Sequence, residues 1–214
     1  WLRKRRKPMR KIDKGAPIAS FSDFVRTHQP TMWEDAKDVS RLWREYILEY
    51  EQHRLSGYTE EPLRLDDAHI DHFRKQSLFN NLIFCWDNFI VDKKNDTYGA
   101  RCKDRIVTTK ADNERLINPA VEDASHFFKY GLNGRIEVAE GLCENEKARA
   151  SYTIQAFNLN EASLVDRRRV IINTILGPYE DLSDETIFEA LSTEGFTSVV
   201  EQLLKERKQE ENSI

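Results

Sequence analysis

Between Glu34 and Leu55 the apolar residues Val39, Leu42, Trp43, Tyr46, Ile47 and Tyr50 recur at i, i+3, i+4, i+7, i+8 and i+11. That is one stripe of an amphipathic helix, and it can be satisfied only by burial against the rest of the chain. Gly57 is a plausible stop signal. The remainder supplies something to pack against: 39% of the residues are apolar, with 11 Phe, 7 Tyr and 4 Trp, too aromatic for a disordered chain. No run approaches the ~18 apolar residues of a membrane-spanning helix, and 33% charge argues the same way. At 214 residues the chain fits one domain, or one domain with appendages.

After a loop from Tyr58 to Asp67 containing Pro62, the segments Ala68 to Phe73 and Leu82 to Val91 are aromatic-rich and strand-like, and Lys93 to Gly99 reads as a polar turn. Asn118-Pro119 marks another turn. A block around Phe127, Phe128, Tyr130 and Ile136, broken by Gly131 and Gly134, suggests a hairpin. A helix is expected to open at Asn160 as its cap and to end before Gly177-Pro178, with Leu164, Ile171 and Ile175 inward and Arg167, Arg168 and Arg169 on the solvated side. Two more helices follow, around Asp184 to Leu191 and from Phe196 to about Lys208, and the last six residues read as frayed.

Charge is unevenly spread. Eight cations (Arg3, Lys4, Arg5, Arg6, Lys7, Arg10, Lys11 and Lys14) against the single acid Asp13 give the first 14 residues a net +7, leaving −11 on the other 200 of a chain whose total is −4. A basic arm on an acidic body suits either a phosphate contact or a solvated tail. The three cysteines, Cys85, Cys102 and Cys143, are odd in number and widely spaced, and no signal-peptide pattern precedes them, so a cytoplasmic protein without a disulfide framework is expected.

Chemistry concentrates in His69-Ile70-Asp71-His72-Phe73, two imidazoles and a carboxylate at the expected end of a strand. Alternation puts His69 and Asp71 on one face and His72 on the other. A carboxylate suits a hard divalent cation, and a neutral imidazole takes a proton from water near pH 7. Asn88 follows His72 by sixteen residues, and Lys103 and Asp104 come about as far again. Such intervals suggest a ββα-metal nuclease.

The segments Tyr58-Thr59-Glu60, His69-Ile70-Asp71-His72-Phe73, Trp86-Asp87-Asn88 and Gly99-Ala100-Arg101-Cys102-Lys103-Asp104 together resemble the HNH endonuclease family. More narrowly, the chain resembles the PtuB-like nuclease subunits of Septu and retron-associated anti-phage defence systems. Met9-Arg10-Lys11-Ile12, Leu116-Ile117-Asn118-Pro119 with Tyr130 and Gly134, and Phe157-Asn158-Leu159-Asn160 with Leu164 and Arg167 match the same pattern, extending the resemblance over about Met9 to Ile175.

The resemblance implies an α+β fold, an HNH hairpin-plus-helix core flanked by α-helices. The expected organisation is a basic arm over 1–14, a helical segment over 15–57, the nuclease core over 58–140 and a C-terminal helical segment over 141–214. It further implies Asp71 as metal ligand, His72 as general base, and Asn88 as the residue that braces the loop and fixes the imidazole. The usual His or Asn on the closing helix has no counterpart; Lys103-Asp104 stands there, with Asp104 a second metal ligand, Lys103 a phosphate contact and His69 a candidate extra ligand. The implied cofactor is Mg²⁺ or Mn²⁺. Many relatives flank the hairpin with cysteine pairs that hold zinc, but Ser56-Gly57-Tyr58-Thr59 replaces the first pair, so no structural zinc is expected. The implied partners are a PtuA-like ATPase of the ABC/SMC type and, in some such systems, a retron reverse transcriptase with its reverse-transcribed DNA. DNA is the first expectation for substrate; the alternatives are an RNase acting on tRNA or other cellular RNA, and a catalytically inactive adaptor of the ATPase.

Overall fold

The structure, a computed structural model, describes residues 11–211. Its described part is mixed α+β, with two small two-stranded antiparallel sheets set among helices. In chain order the elements are α1 (Ala19–His28), α2 (Ser40–Tyr46), β1 (Ala68–His72), β2 (Phe89–Lys93), α3 (Ala100–Ile106), α4 (Lys110–Glu114), β3 (Phe128–Tyr130), β4 (Ile136–Val138), α5 (Glu144–Ala156), α6 (Ala162–Ile175), α7 (Asp184–Leu191) and α8 (Thr197–Glu211). No helix among the described residues is long and apolar enough to cross a membrane.

The expected single helix over 34–55 is broken. A 3-10 turn at Trp33–Ala36 precedes α2, and a π turn at Ile47–Glu51 continues it. Trp43, Ile47 and Leu48 face inward, whereas Leu42 is 57% and Tyr50 70% exposed. The wider π turn rotates Tyr50 outward and brings Glu51 and Gln52 in, where they hold the hairpin from beneath. Glu51 accepts from the Trp86 indole N–H at 3.0 Å, and Gln52 bonds both the N–H and the carbonyl of Val91 at 2.7 Å.

The second expected strand, Leu82 to Val91, forms only from Phe89 onward, because 3-10 turns at Asn80–Leu82 and Trp86–Asn88 interrupt it. The glycine-broken hairpin does form, as β3 and β4, with Tyr130 opposite Ile136. Gly134 has a φ of 81°, and a Cβ there would lie 2.4 Å from the Val165 carbonyl, so only glycine lets this turn lie against α6. Asn160 does not cap α6. Glu161 takes that place by accepting from the Ser163 N–H, and Asn160 instead pairs with both backbone groups of Ile136. Helix α5 carries no apolar stripe in the sequence because it buries itself through small residues, Ala150, Thr153 and Ala156.

Three apolar clusters fill the interior. Phe21, Trp43, Ile47, Trp86 and Phe89 pack the N-terminal helices on one side of the β1–β2 hairpin. Tyr58, Phe73, Ile90, Phe128 and Phe157 fill the other side. The third joins α6, α7 and α8 through Leu164, Ile172, Ile187 and Val200. Polar ties fasten this last unit to the loop before β1: Glu61 pairs with Arg167, and also with Lys93 of β2, and Glu60 accepts from the Ser198 hydroxyl and N–H. The three consecutive arginines are therefore not one solvated face. Arg167 and Arg169 are exposed and reach Glu61 and Asp166, whereas Arg168 is buried and donates to the Leu159 carbonyl at 2.5 Å.

Most of the basic arm, residues 1–10, lies outside the described residues. Its last cation, Lys14, is not a phosphate contact. It is buried with Glu51 at 2.5 Å and the Phe89 carbonyl at 3.1 Å, and the neighbouring Ile12 belongs to the core.

Candidate active site

Strands β1 and β2 pair antiparallel, with His69 opposite Asp92, Asp71 opposite Ile90 and His72 opposite Phe89. Helix α3 follows β2 and is anchored to it by Asp92, whose carboxylate accepts from the Ala100 N–H at the helix start, 2.7 Å away, and from the Ser56 hydroxyl at 2.5 Å. Gly99, at φ 75°, makes this approach possible, since a Cβ there would stand 2.3 Å from the Asp92 carboxylate.

Asp71, whose side chain meets Tyr58 and Lys103, and His72, whose ring meets Trp33 and Phe89, both line with Asp104 one cleft of about 740 Å³, which His69, Arg101 and Trp33 also line. Asp71 and His72 are each 5% exposed, so the reactive groups form the cleft floor. The His72 ring is held by its neighbours, edge-on to Trp33 at 4.7 Å and to Phe89 at 5.2 Å between centroids. His72 Nε2 lies 2.9 Å from the Ile83 carbonyl, which fixes Nε2 as the protonated nitrogen and leaves Nδ1 with the basic lone pair. Burial holds His72 below the ordinary histidine value of 6.5, which keeps that nitrogen unprotonated at neutral pH.

Asn88 braces the turn beyond His72 and makes no hydrogen bond to the imidazole itself. Its Oδ1 accepts from the Arg74 N–H at 2.7 Å, and its Nδ2 donates to the Arg74 and Leu82 carbonyls at 3.0 and 3.1 Å, clamping the turn beyond His72. A second buried asparagine, Asn113, repeats the device on the neighbouring peptides through the Phe73 carbonyl and the Lys75 N–H. Nothing in the sequence marks Asn113, because its partners lie about forty residues away.

Lys103, expected at a phosphate, is elsewhere. It is completely buried (0% exposed) and donates to Asp71 Oδ2 at 2.6 Å and to the His72 carbonyl at 2.9 Å, with Asp104 Oδ1 at 3.3 Å. The Tyr58 hydroxyl donates to the same Asp71 oxygen at 2.5 Å. Burial alone would raise the Asp71 pKa, but the Lys103 charge and these bonds outweigh it and hold the carboxylate below its ordinary range. With Oδ2 so occupied, Oδ1 is the oxygen Asp71 has to offer. Asp104 is shifted the other way, upward, by burial and by the Asp71 charge against the opposing pull of Lys103.

Among the described residues no three His, Cys, Asp or Glu side chains converge as a preformed metal-ligating group. One buried polar atom of the cleft residues, His69 Nδ1, nevertheless has no hydrogen-bond partner, and Asp104 Oδ1 meets the Lys103 ammonium only at 3.3 Å. The donor chemistry therefore fits a hard cation held by one or two carboxylates and otherwise by water, the manner in which Mg²⁺ is commonly bound.

Compared with known proteins, the chain matches no protein-family model and shows no significant match to a curated protein.

Proposed function

We propose that this chain is a metal-dependent HNH-type endonuclease, the effector of an anti-phage defence system, with DNA as its first substrate. The observation that carries the reading is the acid–histidine pair Asp71-His72 at the end of β1 of an antiparallel hairpin, followed by α3, with both residues and Asp104 lining one cleft. Asp71 and Asp104 are the residues that would hold Mg²⁺ or Mn²⁺, with His69 beside them. Bound there, the ion would supply Lewis-acid stabilisation of charge on the phosphate and the departing oxygen. His72 Nδ1 takes the proton of the attacking water, and the Ile83 carbonyl, Trp33 and Phe89 hold the ring at one angle. Lys103 and Tyr58 keep Asp71 ionised and oriented. No step uses a ribose 2′-hydroxyl, so the same site would serve on RNA.

The acidic body of the chain favours a partner that contributes nucleic-acid surface. We assign that part to a PtuA-type ATPase, joined in some systems by a retron reverse transcriptase with its DNA.

One observation favours a second reading, an inactive adaptor: a lysine ammonium already neutralises Asp71. The test is to co-purify the chain with the ATPase and incubate it with plasmid DNA, single-stranded DNA and total tRNA in Mg²⁺ or EDTA, beside His72→Ala. Metal-dependent, His72-dependent cutting supports the nuclease; undiminished cutting by His72→Ala refutes the mechanism, and no cutting before or after phage infection supports the adaptor.

A further inference from the structure

Three features of the cleft separate the kinds of strand it can admit. The first is depth. A duplex is a stiff rod whose scissile phosphate sits on its convex surface, whereas Asp71 and His72 are each 5% exposed and lie beneath a rim that includes Met32. A flexible strand can push a phosphate down to them. The second is charge. Duplex binding is dominated by rows of phosphate contacts, yet among the described residues the cleft lining offers two cations. Lys75 already donates to the Asp104 and Val107 carbonyls, and Arg101 pairs with Asp96 at 2.9 Å, while Glu34 adds an exposed acid at the rim.

The third is the chemistry of the walls. Met32, 59% exposed, and the half-buried Trp33 line the cleft, and the exposed Gln76, Ser77 and Asn80 line it too with amide and hydroxyl groups. An apolar platform in one cleft with neutral hydrogen-bonding groups suits a splayed-out base, as in the recognition of unpaired nucleic acid. The volume of about 740 Å³ lies within the roughly 300–1,000 Å³ of pockets that enclose a small ligand.

We propose that the cleft takes an unpaired stretch of polynucleotide strand, a nucleotide or two at a time, and excludes duplex. This rests on the nuclease reading of the same site and narrows its substrate class. The chemistry is shared by single-stranded DNA and by RNA loops, so both are arms of the test.

The full chain is titrated in EDTA against fluorescent oligonucleotides of one sequence, presented as single-stranded DNA, as single-stranded RNA and as duplex DNA, with binding read by anisotropy. The same chain is then given Mg²⁺ and a stem-loop of each sugar, and the cut positions are mapped. The unpaired strands are expected to bind roughly tenfold or more tightly than the duplex, with cuts confined to the loops. The variant Met32→Glu, at an exposed position, is expected to lose about tenfold in that binding with an unchanged melting temperature. Equal or tighter binding of duplex, cutting within the stem, or undiminished binding by Met32→Glu overturns the proposal and leaves the nuclease reading intact. Loop-preferring binding with no cutting sinks the nuclease reading while supporting this choice of ligand. The sugar that binds and is cut identifies the source of the strand.

Discussion

Replacing Lys103 by Met keeps the length and most of the volume of the side chain but deletes its charge. The ammonium is completely buried, and it is the counter-charge for Asp71 at 2.6 Å and a donor to the His72 carbonyl at 2.9 Å. In the variant the Asp71 carboxylate, itself 5% exposed, keeps only the Tyr58 hydroxyl among these partners. Removing one partner of a buried ion pair costs about 3–5 kcal/mol. For a domain of this size each kcal/mol is worth roughly 2–4 °C, so the melting temperature should fall by about 6–20 °C.

The pH dependence gives the sign. In the native protein Asp71 sits below its ordinary 3.8, so it contributes stability that is present above 3.8 and is lost as pH falls through the lower folded value. Without Lys103 burial dominates and the folded value rises above 3.8, so the uncompensated charge penalises the variant at neutral pH and is relieved as protonation sets in. The gap between the two proteins should therefore narrow as pH is lowered from 7 toward 4, read by circular dichroism melts. Adding Asp71→Asn to the variant should recover part of the loss, because no unpaired charge then remains. A fall of less than about 2 °C at pH 7, or a gap that widens on acidification, would refute the reasoning.

Three further outcomes are expected. If His72 is the general base, cleavage should rise with pH along an acid limb centred below 6.5, because only neutral imidazole accepts the proton and burial lowers its value; a limb above 6.5 contradicts this. His72→Ala should lower the rate roughly 10²–10⁴-fold while the protein stays folded, measured in single-turnover assays beside a melt. Asn88→Ala removes three hydrogen bonds from a buried clamp; at roughly 0.5–1.5 kcal/mol each it should destabilise by about 2–4 kcal/mol in urea unfolding, and a change below 0.5 kcal/mol would show that the clamp is dispensable.

The linear sequence carries the local parts of this molecule. The strand ending in Asp71-His72, the Gly131 and Gly134 hairpin, and the helices from residue 162 onward follow from periodicity and turn residues within windows of a few residues, which is the range over which such signals act. That Asn88 comes near the end of β1 was legible too, because a hairpin turns spacing along the chain into proximity. Tertiary structure decided what depends on distant partners. A stripe that reads as one helix over 34–55 is divided because a π turn brings Glu51 and Gln52 beneath β2 and a 3-10 turn sets Trp33 against His72. The sequence shows Lys103, Arg168 and Lys14 only as charges, and charge alone suggests solvent or phosphate. Lys103 and Lys14 are buried because the fold brings a carboxylate to each from elsewhere, Asp71 thirty-two residues away for Lys103 and Glu51 thirty-seven away for Lys14, whereas Arg168 donates to the nearby Leu159 and Leu164 carbonyls. The desolvation cost of a buried cation is offset by such partners, and which residues become the partners is settled by the packing of the whole chain.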